Sequence, residues 1–344
     1  MQSKKIKKMI LQSTGLFFLA VVLFSGLPYT GQAKTWLVGP EFLIKKPSTA
    51  IKRAKNGDVI KIVAGIYEND YSVINQDNLI LEGMNGFAHL KSTGRIPGGK
   101  AIWVINGKNI SIRNIEFSGA HVPDKNGAGI RLQRGSLTLD NCYFHGNEMG
   151  ILTGNNPDIS LFIENSEFSW NRQDYAVTGK LSHNIYVGTI SVFVMENSVS
   201  RGAKYGHTIK SRAWNTIIRN NRVYDEGEIS ASYLIDIPNG GNALIENNYL
   251  YKNKGAQNNS LISYGTEGMR YEENSLTIRF NTAVNEEGKA NLLNNRSTVA
   301  ALLLDNKLTR IKSDQNNKGS FWNRVKQKLR NILRPVDKQD EERK

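Results

Sequence analysis

Ile112-Arg113-Asn114, Leu139-Asp140-Asn141, Ile163-Glu164-Asn165, Met195-Glu196-Asn197, Ile218-Arg219-Asn220, Ile245-Glu246-Asn247, Ile278-Arg279-Phe280 and Leu304-Asp305-Asn306 repeat one short pattern: an apolar residue, a polar one, then Asn or a stand-in. Successive copies lie 27, 24, 32, 23, 27, 33 and 26 residues apart. A period near that length suits one turn of a coil carrying three short strands, with loop insertions in the longer intervals.

Between the copies, apolar runs of four to six residues alternate with polar ones and end in Gly or Asn, which predicts strands rather than helices. The shorter leucine period of a leucine-rich repeat is absent, as are the hairpin turns a propeller blade needs. Strands stacked in parallel would bring each repeated Asn to one turn, where its amide can bond the next Asn along the stack. The expected fold is a right-handed parallel β-helix.

Composition agrees. The 344 residues are 39% hydrophobic, with 31 Gly and only 8 Pro, enough apolar material for a large core but the wrong mix for a helical bundle. The single Cys142 can form neither an intrachain disulfide nor a Cys-based zinc site, and its place beside an Asn turn suits an inert buried thiol. The net charge of +14 is concentrated at the ends: residues 1–33 carry +4 and residues 307–344 carry +7, leaving +3 for the body. With so little charge on the body and no module of interleaved basic and aromatic residues, nucleic acid is not the expected partner.

The segment Ser48-Thr49-Ala50-Ile51-Lys52-Arg53-Ala54-Lys55-Asn56-Gly57-Asp58-Val59-Ile60-Lys61-Ile62-Val63-Ala64-Gly65-Ile66-Tyr67 resembles the first coil of pectin-lyase-like β-helix proteins. The resemblance extends over roughly residues 35–310. It implies an all-β, single-stranded right-handed solenoid of about 8–10 coils. The superfamily includes polysaccharide lyases, uronan C5-epimerases, polygalacturonase-type hydrolases, pectin esterases and noncatalytic tailspike or adhesin domains, so the resemblance specifies fold better than chemistry.

Three regions are expected. Residues 1–33 read as a secretory leader: a lysine-rich start, an apolar stretch from Leu16 to Leu27, and Gly31-Gln32-Ala33 before the expected cleavage point. The alternative is a retained anchor, for which the apolar run is short of the roughly 20 residues a span needs. Either route exports the body, to the periplasm or outside the cell. Residues 34–310 form the β-helix. Residues 311–344 hold an amphipathic helix, with Phe321, Trp322, Val325, Leu329, Ile332 and Leu333 on one face, Arg324, Lys326, Lys328 and Arg330 around it, Pro335 at its end, and a mixed-charge tail. Such a helix can cap the solenoid, lie on an anionic membrane surface or hold an acidic polymer.

One set of strands can be aligned by its buried pairs: Ile130 and Leu132, Ile151 and Thr153, Ile185 and Val187, Ile209 and Ser211, Ile235 and Ile237, Ile262 and Tyr264. Slipping any strand by one residue would turn charge inward. The outward column between the pairs reads Arg131, Leu152, Tyr186, Lys210, Asp236, Ser263, and the next reads Gln133, Gly154, Gly188, Arg212, Pro238, Gly265. His183, His207 and Tyr233 stand two residues before the first apolar position of their strands. Parallel neighbours are about 4.8 Å apart, so these side chains should converge. The glycines are expected to lower the surface beside them into a groove.

Lys210, Arg212, His207, Tyr186 and Asp236 are the catalytic candidates. His183, Arg131, Asn184, Tyr233 and Asn239, with Arg201 and Lys204 nearby in sequence, are the substrate-binding candidates. These residue types suit removal of the C5 proton of a uronic acid. A cation neutralises the carboxylate, a base takes the proton, and an acid helps expel the 4-linked sugar. Arg212 can grip a carboxylate bidentately. Lys210 beside Arg212 can act as base, or Tyr186 or His207 can be base or proton donor; Asp236 can orient Lys210 or help bind a cation such as calcium. A hydrolase would need paired aspartates, but only Asp236 lies in the column, with Asp124 and Asp174 on expected loops. The Asp-Pro-His-Asp motif of alginate-type epimerases and the carboxylate cluster of calcium-dependent pectate lyases are absent.

The expected activity is therefore β-elimination on an acidic polysaccharide, a bacterial exopolysaccharide among the candidates, with C5-epimerisation or noncatalytic polysaccharide binding as alternatives. Loops His121–Gly127 and Asn171–Leu181 can flank the groove. Trp103, Trp170 and Trp214 can stack on sugar rings or pack structurally. His145 is expected to be structural or exposed.

Overall fold

The computed structural model describes residues 33–313 other than 174, 227–230, 255 and 257. The expected leader, save Ala33, and the expected C-terminal helix with its membrane or polymer contacts lie outside the described residues. The chain divides into two units, Met1–Ala33 and Lys34–Lys344, and the solenoid belongs to the second.

Every paired strand among the described residues runs parallel to its neighbours, in a ten-stranded and a nineteen-stranded sheet. The ten-stranded sheet, here the front sheet, runs from Ser72–Ile74 through Ile185–Val187, Ile209–Ser211 and Ile235–Ile237 to Ile311–Lys312. The nineteen-stranded sheet contains two stacks, joined because Val59–Glu68 and Ile80–Lys91 pass through both. The back stack includes Ile110–Arg113 and Ser136–Asp140; the side stack includes Ile115–Ser118, Tyr143–His145 and Val199–Arg201. Each turn thus passes from back to side to front. Helix Pro47–Arg53 covers the first turn through buried Ala50 and Ile51.

The core is filled by one inward residue from each alternation. On the side stack, Phe117, Phe144 and Phe168 stack at 4.9 and 4.6 Å between centroids, with Trp103 edge-on to Phe117 at 5.1 Å. Contacts of this kind add about 0.5–1.5 kcal/mol per pair beyond area burial. Trp103 is thus a packing residue.

The corner between back and side stacks explains the repeat. Asn114, Asn141, Asn165, Asn197, Asn220 and Asn247 all have positive φ, the left-handed conformation Asn tolerates best among residues with a Cβ. Phe280 and Asp305 take the same conformation on the last two turns. Strand pairing puts Leu304 beside Arg279, so Asp305, not Asn306, occupies the turn position and the final repeat shifts by one residue.

The continuous amide ladder is carried by the residue after the turn. Asn221, Asn248 and Asn281 each accept the preceding turn's backbone N–H, and Asn306 does the same for Asn281, at 2.9–3.0 Å. Asn248 Nδ2 also donates to the Ile218 carbonyl at 2.9 Å. Among the turn asparagines the expected amide contact occurs between Asn141 and Asn114, at 2.8 Å. A left-handed residue breaks the period-two alternation, which turns its successor inward.

Candidate functional site

The front sheet has the register expected from its buried pairs: Ile130, Ile151, Ile185, Ile209, Ile235 and Ile262 are consecutive partners. Arg131, Leu152, Tyr186, Lys210, Asp236 and Ser263 therefore form one outward column, which continues to Asn294. Although outward, Lys210, Asp236 and Ser263 are buried.

What covers them is a segment that alternation does not reveal. Gly265–Asn274 folds back over the sheet, held by bonds from Glu267 N–H to the Pro238 carbonyl and from Arg270 N–H to the Asn239 carbonyl, both 2.9 Å. It delivers Glu267: Oε1 lies 2.7 Å from Lys210 Nζ and Oε2 lies 2.6 Å from Arg212 Nη2. Glycine at 265 is required at its start, where φ is +71°. Gly188 is also required, but not as a groove floor: a Cβ there would meet the Gly154 carbonyl oxygen at 2.4 Å.

Lys210 Nζ lies 3.1 Å from Asp236 Oδ2, and His207 Nε2 lies 3.2 Å from the same oxygen. The lysine contact is an ion pair and the histidine contact the approach of a neutral ring, and their angles leave Oδ2 without a hydrogen bond. Asp236 Oδ1 accepts the Ser263 hydroxyl. With Nζ held between two carboxylates, Lys210 has no free lone pair directed at a substrate, and the geometry disfavours it as a base. Calcium does not fit here either. Both carboxylates are spanned by cations, where calcium would need a shell of oxygens.

His183, His207 and Tyr233 form a ladder, with ring centroids 5.2 and 5.4 Å apart. His183 Nδ1 accepts the His207 backbone N–H at 2.9 Å, and His207 Nδ1 accepts that of Tyr233 at 3.2 Å. Nδ1 is thereby occupied in both rings, so a neutral ring carries its proton on Nε2. Burial, reinforced by Lys210, pushes His207 down to about 3. Burial, reinforced by His207 and Lys210, holds His183 well below its usual value. Both rings brace the strand entry and are poorly placed to exchange protons with a ligand.

Tyr186, Arg131 and Arg212 are less enclosed. Arg212 Nε donates to the Tyr186 hydroxyl at 3.2 Å, and Arg212 also donates to Asn239 Oδ1. Arg131 is half-buried, and among the described residues it has no ion-pair partner; its Nε is buried without a hydrogen bond. Burial lowers its affinity for a proton, while Tyr186 is the group whose charge counteracts this. Beside them Ala101, Ala128, Met149 and Leu152 form an apolar patch against which Val104 and Tyr186 pack.

Other expected contacts fall elsewhere. Asn184 is interior: its Oδ1 accepts from Asn171, and its Nδ2 donates to the Phe168 and Arg201 carbonyls, so it supports the sheet from beneath. Arg201 lies on the side stack, clamped by Glu167 at 2.8 Å and by Glu226, and does not join the front cluster. Lys204 rests over the Tyr205 ring at 5.1 Å. Tyr233 OH accepts from Asn294 Nδ2 at 3.0 Å, and the residue stays partly exposed at the edge of the column.

Loops flank the front sheet at both edges. On the strand-entry edge, Gln173 Nε2 donates to the Lys125 carbonyl at 2.8 Å, linking the two segments expected to border the groove. At the exit edge, Trp214 borders a cleft of about 680 Å³ shared with Asn155, Thr189, Arg270 and Tyr271, and Tyr271 OH donates to the Arg212 carbonyl at 2.5 Å. Trp214 is thus available to a ligand. Trp170 instead has Arg172 over its ring at 4.6 Å.

No protein-family profile and no curated protein sequence matches the chain. Among solved structures it is similar to an alginate lyase from Paenibacillus sp. str. FPU-7, at 16% identity over 81% of this chain and 99% of that one, with a TM-score of 0.49. A pectin methylesterase from Aspergillus niger aligns at 11% identity over 84% and 92%, with a TM-score of 0.44. A tailspike protein of E. coli bacteriophage HK620, in complex with pentasaccharide, aligns at 14% over 80% and 65%, with a TM-score of 0.38. The chain's own strand pairing, parallel among the described residues and repeating back, side and front, is that of a parallel β-helix.

Proposed function

We propose that the protein is an exported enzyme that cleaves an acidic, uronate-containing polysaccharide by β-elimination on the outer face of its front sheet. The observation that carries this reading is Arg131. It is a half-buried guanidinium without an anionic partner among the described residues, in the same column as a tyrosine whose hydroxyl already accepts from Arg212. An unpaired cation in a partly desolvated position favours an anionic ligand.

In this reading Arg131 and Arg212 take the uronate carboxylate and stabilise the charge that develops when the C5 proton leaves. Tyr186, its own hydroxyl proton having first passed to solvent, accepts that proton as a phenolate, since Lys210 is tied to two carboxylates and the histidine Nδ1 atoms to backbone N–H groups. The electron pair of the broken C5–H bond forms the C4–C5 double bond as the C4–O bond breaks, and the departing oxygen takes a proton from the Tyr186 hydroxyl so formed, which regenerates the phenolate. Lys210, Asp236 and Glu267 position Arg212 and the sheet edge. The apolar patch at Leu152 and the face of Trp214 suit the apolar faces of sugar rings.

The test is product analysis after incubation with a panel of uronate polymers. Unsaturated ends support elimination; saturated new reducing ends would indicate hydrolysis. Exchange of the C5 hydrogen with solvent without chain cleavage would indicate an epimerase, and binding without any chemistry a lectin-like protein.

A further inference from the structure

His89, Glu116 and His145 come from three successive turns of the side stack, away from the front sheet. Strand pairing sets His89 directly beside Glu116, with His145 one strand further, opposite Ser118. Their side chains converge: Glu116 Oε1 lies 3.3 Å from His89 Nε2 and 2.8 Å from His145 Nε2, and one donor atom from each residue falls within 4.8 Å of the others. The three side chains retain 17%, 19% and 30% of their exposure, so an ion can enter and keep water.

Two imidazole nitrogens and one carboxylate oxygen suit a borderline divalent ion rather than calcium or magnesium, which prefer oxygen alone. Ligand bonds of about 2.0–2.2 Å to zinc place tetrahedral donors about 3.3–3.6 Å apart, which the 3.3 Å between His89 and Glu116 meets and the 2.8 Å between His145 and Glu116 reaches by a small outward shift. Stacking on Tyr143 at 4.4 Å steadies the His145 ring, and the Tyr143 hydroxyl is anchored to Ser169 at 3.0 Å. Ser118 Oγ, 2.6 Å from His89 Nε2, is a neutral neighbour that a metal can displace. Lys91, on the same strand as His89, is turned to Glu68 at 3.3 Å.

We propose that His89, Glu116 and His145 bind a divalent transition metal of the zinc class, through both Nε2 atoms and the Glu116 carboxylate, with water completing the shell. The ion would tie three turns of the solenoid together.

The test is calorimetric titration of the chelator-treated full chain with zinc chloride alone, alongside cobalt(II) absorption spectroscopy. One zinc per chain at micromolar affinity or tighter is expected, with tetrahedral-type cobalt bands. The affinity should fall at least about tenfold in both His145→Ala and Glu116→Gln, and stay unchanged in His121→Ala, which alters an exposed loop histidine. Thermal midpoints in chelator report whether each variant folds; if one does not, the other and the wild-type cobalt spectrum decide. Absence of zinc binding at millimolar concentration, or binding indifferent to both substitutions, would overturn the site and leave a hydrogen-bonded His-Glu-His cluster.

Discussion

Lys210 Nζ stands 3.1 Å from Asp236 Oδ2, and both side chains are almost fully removed from solvent although they lie on the outer face of the sheet. A buried pair of this kind is costly to break from one side, because the surviving charge is left uncompensated. Lys210→Ala is expected to lose about 3–5 kcal/mol of stability, and the double variant Lys210→Met, Asp236→Asn to recover most of it. Glu267→Gln, whose side chain is 44% exposed, should cost under about 1 kcal/mol. Denaturant unfolding of the four proteins checks this. Equal losses in the single and double variants would contradict the pairing.

The acid limb of stability should carry the signature of the histidine ladder. His207 is pushed from its ordinary 6.5 to about 3 by burial and then by Lys210. A ring that stays neutral when folded but protonates when unfolded contributes stability above about pH 6.5, which is lost as the pH falls toward about 3. Asp225 acts in the opposite sense. Burial raises it to about 6, so its contribution is present below its ordinary carboxylate range and lost as the pH rises through 6. Comparison with His207→Gln separates the two: the variant should show a shallower loss of stability between pH 6 and 4, at about 1.4 kcal/mol per pH unit for one group. An unchanged slope would mean that His207 does not resist protonation in the fold.

Neighbouring asparagines should behave differently. Asn248 is buried and bonds Asn221, Ile218 and Asn281. Asn248→Ala leaves buried backbone and amide groups unpaired, at about 1–3 kcal/mol each. Asn247, at φ +55°, needs only the left-handed conformation, so Asn247→Gly should stay within about 0.5 kcal/mol of wild type. Thermal or urea unfolding of the two variants distinguishes the ladder from the turn.

Inside a strand the side-chain period is two and one face must be apolar, so the column from Arg131 to Ser263 is legible residue by residue in the sequence. At corners that logic fails. A left-handed Asn reverses parity, which is why the ladder lies one residue beyond the repeat. Asn184 points inward with its amide held by Asn171 and by the Phe168 and Arg201 carbonyls, although its neighbours His183 and Tyr186 belong to the face. Glu267 escapes the pattern for another reason. It sits on an irregular segment and meets Lys210 across 57 positions of sequence, where no periodicity operates. Its one signal in the sequence is an acid flanked by Gly265 and Gly268, both at positive φ, just beyond the aligned column. The His89, Glu116 and His145 cluster is hidden similarly, since its members come from three turns of a face aligned by neither the repeat nor the front column.

The most direct measurement is the initial rate of ultraviolet absorbance from the C4–C5 double bond when wild type, Tyr186→Phe and Arg131→Ala act on the best uronate polymer. Tyr186→Phe removes one hydroxyl from a half-buried residue and should leave stability within about 1 kcal/mol and substrate affinity nearly intact. Its rate should fall by about 10²–10⁴, the contribution of a positioned proton-transfer group. Arg131→Ala should chiefly raise KM. A Tyr186→Phe protein that forms the unsaturated product at the wild-type rate would contradict the assignment of the front face as the site of elimination.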